Sequence, residues 1–227
     1  MIIIQATPTF LQYTLINLAV FAVLLPIGFA IGTLVALGQV YGHPVIAALA
    51  TAWAWFFRGV PALVLLFLFY YGPPVFNINI EPFTAAALAM GFRSSGYQSQ
   101  IFRGAIESVP AGQMVAGRAI GMSRLQTVWS IVLPQAFRLA LPAWTNEFSA
   151  VLKDTTLVYA IGINEVMRFA RTIYVARPEL AILTFLFVAL IFWVLTVIGT
   201  GLLQRLERRL ALPGLEGRMR GPRAVAK

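Results

Sequence analysis

The sequence predicts an all-α integral membrane protein, and its composition leads to that fold class. Of the 227 residues, 59% are hydrophobic and only 11% are charged, whereas a soluble domain carries about a quarter of its residues as Asp, Glu, Lys and Arg. The first charged residue is Arg58, and so long an uncharged stretch cannot coat a surface that faces water. These features exclude a soluble enzyme.

Cysteine is absent and His43 is the single histidine, which limits the kinds of site that the side chains can form. Without cysteine there are neither disulfides nor thiolate chemistry, and one histidine excludes a His-rich metal site. We therefore expect no metal and no cofactor on this chain.

About five segments are long enough to cross a hydrocarbon core, which takes about 20 residues of helix. They form one transmembrane domain over residues 1–227. Their approximate bounds are residues 10–37, 45–71, 82–102, 139–163 and 180–204. The first contains the spacing Gly28-x-x-x-Gly32, which lets another helix approach closely. We expect packing within the chain, with a subunit interface as the alternative.

Two of these segments contain features that an ordinary membrane helix lacks. The second is interrupted at Phe57-Arg58-Gly59-Val60-Pro61, and proline tends to end or kink a helix just before itself, so we expect a bend or a split there. The second half of the third reads Arg93-Ser-Ser-Gly-Tyr-Gln-Ser-Gln100. A helix this polar cannot face lipid on all sides, so we expect it to line the bundle interior or a water-filled cavity.

The distribution of Lys and Arg predicts the orientation, because cytoplasmic segments carry an excess of both. Eleven of the seventeen fall in the tail (205–227) or in the connection between the third and fourth segments. We expect both to be cytoplasmic and the N-terminus to lie outside. The net charge of +9 therefore reports topology and does not indicate a nucleic-acid partner. The basic tail can contact anionic lipid.

The connection at residues 105–135 predicts a helix, a glycine turn and a second helix. Pro110 suits the first turn of a helix, and Gly121 suits the position just past a helix end. Ser123 and Gln126 have the spacing of a capping box. The first helix is rich in small residues, which would let it sit inside a groove on another protein.

Within this connection, Ala116-Gly117, Gly121 and Ile131-Val-Leu-Pro134 resemble the EAA loop of ABC importer permeases, written EAA-x3-G-x9-I-x-L-P. Further motifs, in the same order, resemble the permease subunits of polar amino-acid uptake systems of the histidine, glutamine and glutamate type. They are Phe57-Arg-Gly-Val-Pro61, Ile101-Phe-Arg-Gly-Ala-Ile106, Pro134-Gln-Ala-Phe-Arg138 and Leu152-Lys-Asp-Thr-Thr-Leu157. The resemblance implies the fold of a type I importer permease, with the connection as a cytoplasmic coupling loop.

Two positions depart from the family pattern. Val115 stands where the EAA signature has its glutamate, and Gln100 stands where a glutamate usually precedes Ile-Phe-Arg-Gly. The missing acid at Val115 argues against a salt bridge between this loop and an arginine of the ATPase. Docking itself would depend on the small residues and on the stop at Gly121.

The resemblance also implies partners. ATP hydrolysis needs a P-loop, and neither Lys153 nor Lys227 has that context, so ATP and Mg²⁺ are expected on a partner ATP-binding subunit. A second permease copy or a similar sister permease, and an extracytoplasmic amino-acid-binding protein, would complete the importer in the plasma membrane of a prokaryote. The residues that the resemblance assigns to ATPase coupling are Ala116, Gly117, Arg118, Gly121 and Arg124. The two arginines can instead be solvated interfacial charge.

The fourth segment carries three ionisable groups, and a charge at the centre of a membrane helix costs about 2.5 to 3.5 kcal/mol. Glu147 and Asp154 are two turns apart on nearly the same face. Our hypothesis is a pathway for a zwitterionic amino acid, lined by Glu147, Lys153, Asp154, Thr155, Thr156 and Arg58. Alternatively, Lys153 and Asp154 lie near the outer interface and only position the helix end, and Arg58 anchors a bent helix.

The main alternative function is an ion-coupled secondary transporter or channel, in which Glu147 and Asp154 would be proton or ion sites. Three features argue against it: the short chain of five spans, the lack of a detectable internal repeat and the presence of the docking loop. A membrane-embedded enzyme is a weaker alternative, because the chain has no His-based acid/base set.

Overall fold

Every regular element of the structure, a computed structural model that describes residues 2–210, is a helix, which confirms the all-α fold class. Residues 211–227, which hold most of the predicted basic tail, lie outside the described residues. The α-helices are α1 (Ile2–Gln5), α2 (Thr7–Tyr41), α3 (Pro44–Gly59), α4 (Ala62–Tyr71), α5 (Pro82–Ser108), α6 (Ala111–Ala119), α7 (Arg124–Thr127), α8 (Leu133–Asp154), α9 (Val166–Ala176) and α10 (Ala181–Leu210). Short 3₁₀ or π-helical turns lie at Pro73–Phe76, Val128–Val132, Thr155–Ile161 and Pro178–Leu180.

The long uncharged helix α2 packs along α5, and this is the most extensive contact between two helices in the described part of the chain. Gly28 and Gly32 lie in the contact. A Cβ at Gly28 would be 2.6 Å from Nε2 of Gln98, and one at Gly32 would be 2.9 Å from Cβ of Gln98. The glycine spacing therefore serves packing within the chain, as predicted.

The second predicted span is split at the expected place. α3 ends at Gly59, α4 begins at Ala62, and the two axes differ by 103°. Pro61 lies directly before α4, where its missing N–H costs no helical hydrogen bond. The break brings Arg58 beside α5, because Cγ of Arg58 would lie 3.2 Å from a Cβ built at Gly96.

α5 is at the centre of the bundle and packs against α2, α3, α4 and α8. The prediction that its polar half lines the interior is confirmed, because the side chains in this half that are almost fully buried are Ser94, Ser95, Gln98 and Ser99. The helix continues to Ser108, beyond the predicted end of the span at residue 102.

The segment that follows α5 has the predicted sequence of helix, glycine turn and helix. α6 begins directly after Pro110, which is the N-cap residue of the helix and does not lie in its first turn. Gly121 lies in the turn that follows α6 and has a φ of 87°. The capping box before α7 is formed: the backbone N of Gln126 donates to Oγ of Ser123 at 3.2 Å, and the backbone N of Ser123 donates to Oε1 of Gln126 at 2.7 Å.

The helix that carries the predicted fourth span has different bounds from that segment. α7, the π-helical turn and α8 form one helical run from Arg124 to Asp154, whereas we expected a span at residues 139–163. After Asp154 the chain tightens into a 3₁₀ helix. Hydroxyl groups contribute to this change, because Thr155 and Thr156 each donate to the carbonyl three residues earlier, at 2.7 and 2.8 Å.

α9 was not predicted. Its N-cap is Glu165, whose Oε1 accepts a hydrogen bond from the backbone N of Arg168 at 2.8 Å. Val166 and Ala170 face the bundle, while Arg168 and Arg171 are exposed. The helix is short and lies between two predicted spans, where hydropathy alone predicts no membrane helix.

Within the described residues, two helical stretches are long and apolar enough to cross a membrane by themselves, at Thr7–Tyr41 and Pro178–Leu210. The bent pair formed by Pro44–Gly59 and Ala62–Phe76 makes a third if its two helices together form one span. α5 and α8 have sufficient length but not the apolar composition. The layout of five spans therefore remains a prediction.

We predict that Gly32→Ala destabilises the bundle, because the new methyl group meets the backbone of Ser95 and Ser99 as well as Gln98. The expected cost is about 1 to 3 kcal/mol, as for other overpacked sites, and it would lower the thermal midpoint of the purified protein in detergent. The matched control is Gly201→Ala, since nothing lies within 4 Å of a Cβ at Gly201. An unchanged midpoint for Gly32→Ala would contradict the packing account.

Candidate functional site

The polar half of α5 faces α8 along one line of side chains, called here the seam. Its members are Arg93, Ser94 and Gln98 on α5 and Trp144, Glu147 and Asp154 on α8. Residues later on α5 contact residues earlier on α8, so the two helices are antiparallel. Ser94 and Gln98 are four residues apart, and Trp144, Glu147 and Asp154 also recur at helical spacing, which places each of these two sets on one face. Arg93 is adjacent to Ser94 and reaches Asp154 from the neighbouring face.

The charged end of the seam contains one ion pair and one further carboxylate. Nη1 of Arg93 donates to Oδ2 of Asp154 at 2.6 Å. Oε1 of Glu147 accepts from Oγ of Ser94 at 2.9 Å. Among residues 2–210, no Lys or Arg lies within 4 Å of the Glu147 carboxylate. Such an arrangement can form ion pairs and hydrogen bonds with a zwitterion.

The other end of the seam is held by Gln98, which is fully buried. Its Nε2 donates to Oγ of Ser94 at 3.0 Å, and its Oε1 accepts from Nε1 of Trp144 at 2.8 Å. Gly28 leaves room for this amide beside α2. A buried amide with partners on both atoms fixes the register of α5 and α8, because an unpaired buried polar group costs about 1 to 3 kcal/mol.

Two arginines lie over the same aromatic ring beside the ion pair. Cζ of Arg93 is 5.0 Å from the ring centroid of Tyr97, and Cζ of Arg58 is 5.5 Å from it. Both distances are within the range of cation–π attraction. Arg58, Arg93, Tyr97 and Asp154 are called here the arginine cluster. Two of the residues that the sequence proposed for a pathway therefore belong to this cluster: Asp154 binds Arg93, and Arg58 lies over Tyr97.

The other proposed pathway residues are placed differently. Lys153 is exposed, and Thr156 is partly buried with its hydroxyl bonded to the carbonyl of Lys153. Thr155, which we expected to line a pathway, is instead fully buried and belongs to a separate cluster. Its position follows from the tight 3₁₀ turn after Asp154, which directs Thr155 towards α2.

That separate cluster joins α2 to the start of α9. Nδ2 of Asn17 donates to Oε2 of Glu165 at 2.9 Å and to the carbonyl of Thr155 at 3.2 Å. Oδ1 of Asn17 accepts from the backbone N of Val166 at 3.2 Å. Burial raises the pKa of Glu165 above its ordinary value, while the hydrogen bonds that its carboxylate accepts act in the opposite direction. The cluster fixes the position of α9.

Sequence reasoning did not single out Arg93, Tyr97, Asn17 or Glu165. Arg93 and Tyr97 lie within the polar run of the third predicted span. A cation in such a run could have indicated a functional residue. Asn17 and Glu165 are isolated polar residues in their segments, and their contact spans 148 positions of sequence. Among the described residues, no group of three or more His, Cys, Asp or Glu is placed to hold a metal ion.

The α6–α7 segment (111–127) presents most of its predicted coupling residues to the surface. Ala116, Arg118, Gly121 and Arg124 are exposed. We expected Gly117 to contact a partner as well. It is instead buried, and a Cβ there would lie 2.5 Å from Cγ2 of Thr127. Its small size lets α6 pack on the helical run that leads to α8.

The two arginines of this segment have contacts within the chain. Nη1 of Arg118 donates to the carbonyl of Met122 at 2.9 Å, and Cζ of Arg124 lies 5.4 Å from the ring centroid of Tyr41 on α2. The same stretch of chain carries four exposed apolar side chains. They are Val115, Ile120, Leu125 and Trp129. Apolar groups grouped on an exposed surface mark a site for a partner protein or a membrane.

Comparisons with known proteins agree with this architecture. A family model described as "Binding-protein-dependent transport system inner membrane component" matches residues 28–212. The chain is 38% identical over 216 residues to the probable amino-acid permease protein YxeN of Bacillus subtilis (strain 168), covering 92% of this chain and 95% of that protein. It is 33% identical to the glutamine transport system permease protein GlnP of Escherichia coli (strain K12), covering 82% and 85%.

Solved structures show the same fold. One, described as the crystal structure of an amino acid ABC transporter with histidines, superposes with a TM-score of 0.81 at 32% identity and covers 91% of this chain and 96% of its own. An inward-facing structure of the MetNI methionine ABC transporter has a TM-score of 0.71 at 18% identity, covering 89% and 96%, and this likeness concerns the fold alone. The chain belongs to the family of inner membrane components of binding-protein-dependent transport systems.

Proposed function

We propose that this chain is the permease subunit of an ATP-driven amino-acid importer. One observation carries the proposal: a single helical run from Arg124 to Asp154 joins the exposed α6–α7 segment to the charged end of the seam. A force applied at that segment would therefore reach the seam through continuous helix. The amino-acid substrate is supported by the names of relatives, which include permeases for glutamine, arginine and L-cystine. Family membership favours this function over the ion-coupled alternative.

In this proposal the α6–α7 segment docks on a separate ATP-binding subunit, which supplies ATP and Mg²⁺. The exposed Ala116 and the apolar side chains of Val115 and Leu125 would enter a groove, with Arg118 and Arg124 at its rim. Gly117 and Gly121 would act indirectly, the first by holding α6 against α7 and the second by forming the turn between them.

The seam is the proposed pathway for the substrate. Glu147, Asp154 and Arg58 would contact the charged groups of an amino acid, and Lys153 and Thr156 would lie at the edge of the pathway. These side chains offer both signs of charge within a bundle whose other surfaces are mainly apolar. A zwitterion could therefore exchange its hydration for protein contacts.

The importer would lie in the plasma membrane of a prokaryote with five spans, the N-terminus outside, and the α6–α7 segment and tail in the cytoplasm. This orientation rests on the distribution of Lys and Arg. The exposed apolar faces of α4 and α10 leave room for lipid and for a second permease, either a copy of this chain or a sister subunit. A binding protein would deliver the amino acid at the outer face.

We predict that Ala116→Trp abolishes ATP-driven uptake, because a bulky side chain on the exposed face of α6 cannot enter the groove of the ATPase. Uptake of L-glutamine, L-arginine and L-cystine is measured in proteoliposomes that contain the permease with its ATPase, permease and binding-protein partners. The control is Ala48→Trp on the exposed side of α3, which should leave uptake unchanged. Normal uptake by Ala116→Trp at a normal membrane level would defeat the docking proposal.

A second prediction concerns the inner carboxylate of the seam. Glu147→Gln keeps an acceptor for Ser94 but removes the charge, so uptake should fall about tenfold or more, the loss expected for one charged contact. The control is Glu107→Gln, which removes an exposed acid that pairs with Arg103 at 3.5 Å. Unchanged kinetics for Glu147→Gln in the same uptake assay would count against a role in the pathway.

A further inference from the structure

We propose that Arg124 fastens the α6–α7 segment to the C-terminal end of α2 through the ring of Tyr41, so that α2 moves together with the helical run from Arg124 to Asp154. The inference rests on the proposed function, in which the α6–α7 segment docks on an ATP-binding subunit. Arg124 would lie at the rim of the groove, but its role is within the chain. It is a positioning residue, which acts on the seam through α2 and touches neither the ATPase nor the substrate.

The contact at this end of α2 pairs a cation with an aromatic ring. Cζ of Arg124 lies 5.4 Å from the ring centroid of Tyr41, within the range of about 6 Å over which a cation is attracted to a ring face. Tyr41 is the last residue of α2, and the last turn of that helix contains no basic residue. Because the carbonyl groups at a helix C-terminus carry partial negative charge, Arg124 supplies the cation that this helix end lacks in its own sequence.

Both partners of this contact are available for it. Among residues 2–210, Arg124 has no Asp or Glu within 4 Å, so no salt bridge competes for its guanidinium group. The ring of Tyr41 is partly buried and packs against a hydrophobic cluster that includes Val128 and Val132, on the turn that follows α7. That packing holds the ring in place, so the strength of the attraction depends on where the α6–α7 segment lies.

Nearer its N-terminus, α2 is hydrogen-bonded to the far end of the same helical run. Asn17 is fully buried, and its Nδ2 donates to the carbonyl of Thr155 at 3.2 Å. Thr155 directly follows Asp154, the last residue of α8. A buried amide that loses its partner is costly, so this connection is firm. α2 therefore meets the run at its first residue, Arg124, and directly after its last.

Between these two points α2 packs mainly on α5 and much less on α8. Its position relative to α8 is therefore set by the two end contacts, together with α5 between them. Gly28 lies where α2 covers the buried amide of Gln98. A displacement of the α6–α7 segment thus reaches the seam from two sides, through α8 and through α2. Without the contact between Arg124 and Tyr41, the continuous helix into α8 remains, but α2 no longer follows it fully.

Four variants separate this role from a contact with the ATPase. They are Arg124→Gln, Tyr41→Leu, Tyr41→Phe and the double variant that combines Arg124→Gln with Tyr41→Leu. Each is reconstituted in proteoliposomes with its ATPase, permease and binding-protein partners. Uptake of L-glutamine, L-arginine and L-cystine per ATP hydrolysed is measured, together with the amount of ATPase that copurifies with the permease.

Arg124→Gln and Tyr41→Leu should each lower uptake per ATP about two- to fivefold, the factor that corresponds to cation–π attraction at an exposed site. The double variant should be no worse than either, because both changes remove one contact. Tyr41→Phe keeps the ring and should behave as the wild type, and Leu keeps an apolar side chain for the hydrophobic cluster. The ATPase should copurify fully in every case. The control, Arg209→Gln, removes an exposed cation at the end of α10 and should match the wild type.

A contact between Arg124 and the ATPase gives a different pattern. Arg124→Gln would then release the ATPase while Tyr41→Leu would leave uptake per ATP unchanged, and this result overturns the inference. A loss in only one of the two single variants, losses that add in the double variant, or a Tyr41→Phe variant as defective as Tyr41→Leu also overturns it. So does an unchanged ratio in both single variants. These outcomes leave the proposed import intact, whereas a wild-type complex without ATP-driven uptake of any of the three amino acids would defeat the proposed function itself.

Discussion

The buried amide of Gln98 determines how three helices meet. Its hydrogen bonds to Ser94 and Trp144 join α5 to α8. Because Gly28 and Gly32 have no side chains, α2 can pack against this amide. Replacing any of these partners would leave a polar group without a hydrogen bond in an apolar bundle, at about 1 to 3 kcal/mol. The position of α5 at the centre, and with it the position of every charged group on the seam, depends on this arrangement.

From that centre the seam opens towards two helix breaks. α8 changes to a 3₁₀ helix directly after Asp154, and the chain between α3 and α4 bends by 103° beside Arg58. Polar groups at membrane depth are tolerated where broken helices surround a cavity or a binding site. The breaks therefore place charge where a polar substrate can use it, and the helical run back to Arg124 connects the same place to the proposed docking surface. Binding and coupling would thus share one continuous helical run.

The sequence predicted the elements whose signals are local. Pro61 indicated the split of the second span, the serine and glutamine residues after Arg93 indicated a buried polar face, and the capping box at Ser123 was formed as expected. The sequence did not predict features of the structure that depend on distant partners or on competing local hydrogen bonds. The early end of α8 at Asp154 follows from hydroxyl bonds that a hydropathy pattern does not contain. The contact between Asn17 and Glu165, and the pairing of Arg93 with Asp154, join residues 148 and 61 positions apart.

The most direct test is whether the charged end of the seam, beside Arg93 and Asp154, contacts water inside the membrane. The chain contains no cysteine, so Tyr97→Cys would introduce the only thiol of this subunit, between two guanidinium groups that favour its reactive thiolate form. We predict rapid modification by a membrane-impermeant thiol reagent in proteoliposomes and protection by the transported amino acid, whereas Leu186→Cys on the exposed apolar face of α10 should stay unmodified. A Tyr97→Cys variant that is as unreactive as Leu186→Cys, or one that the amino acid does not protect, would contradict the account.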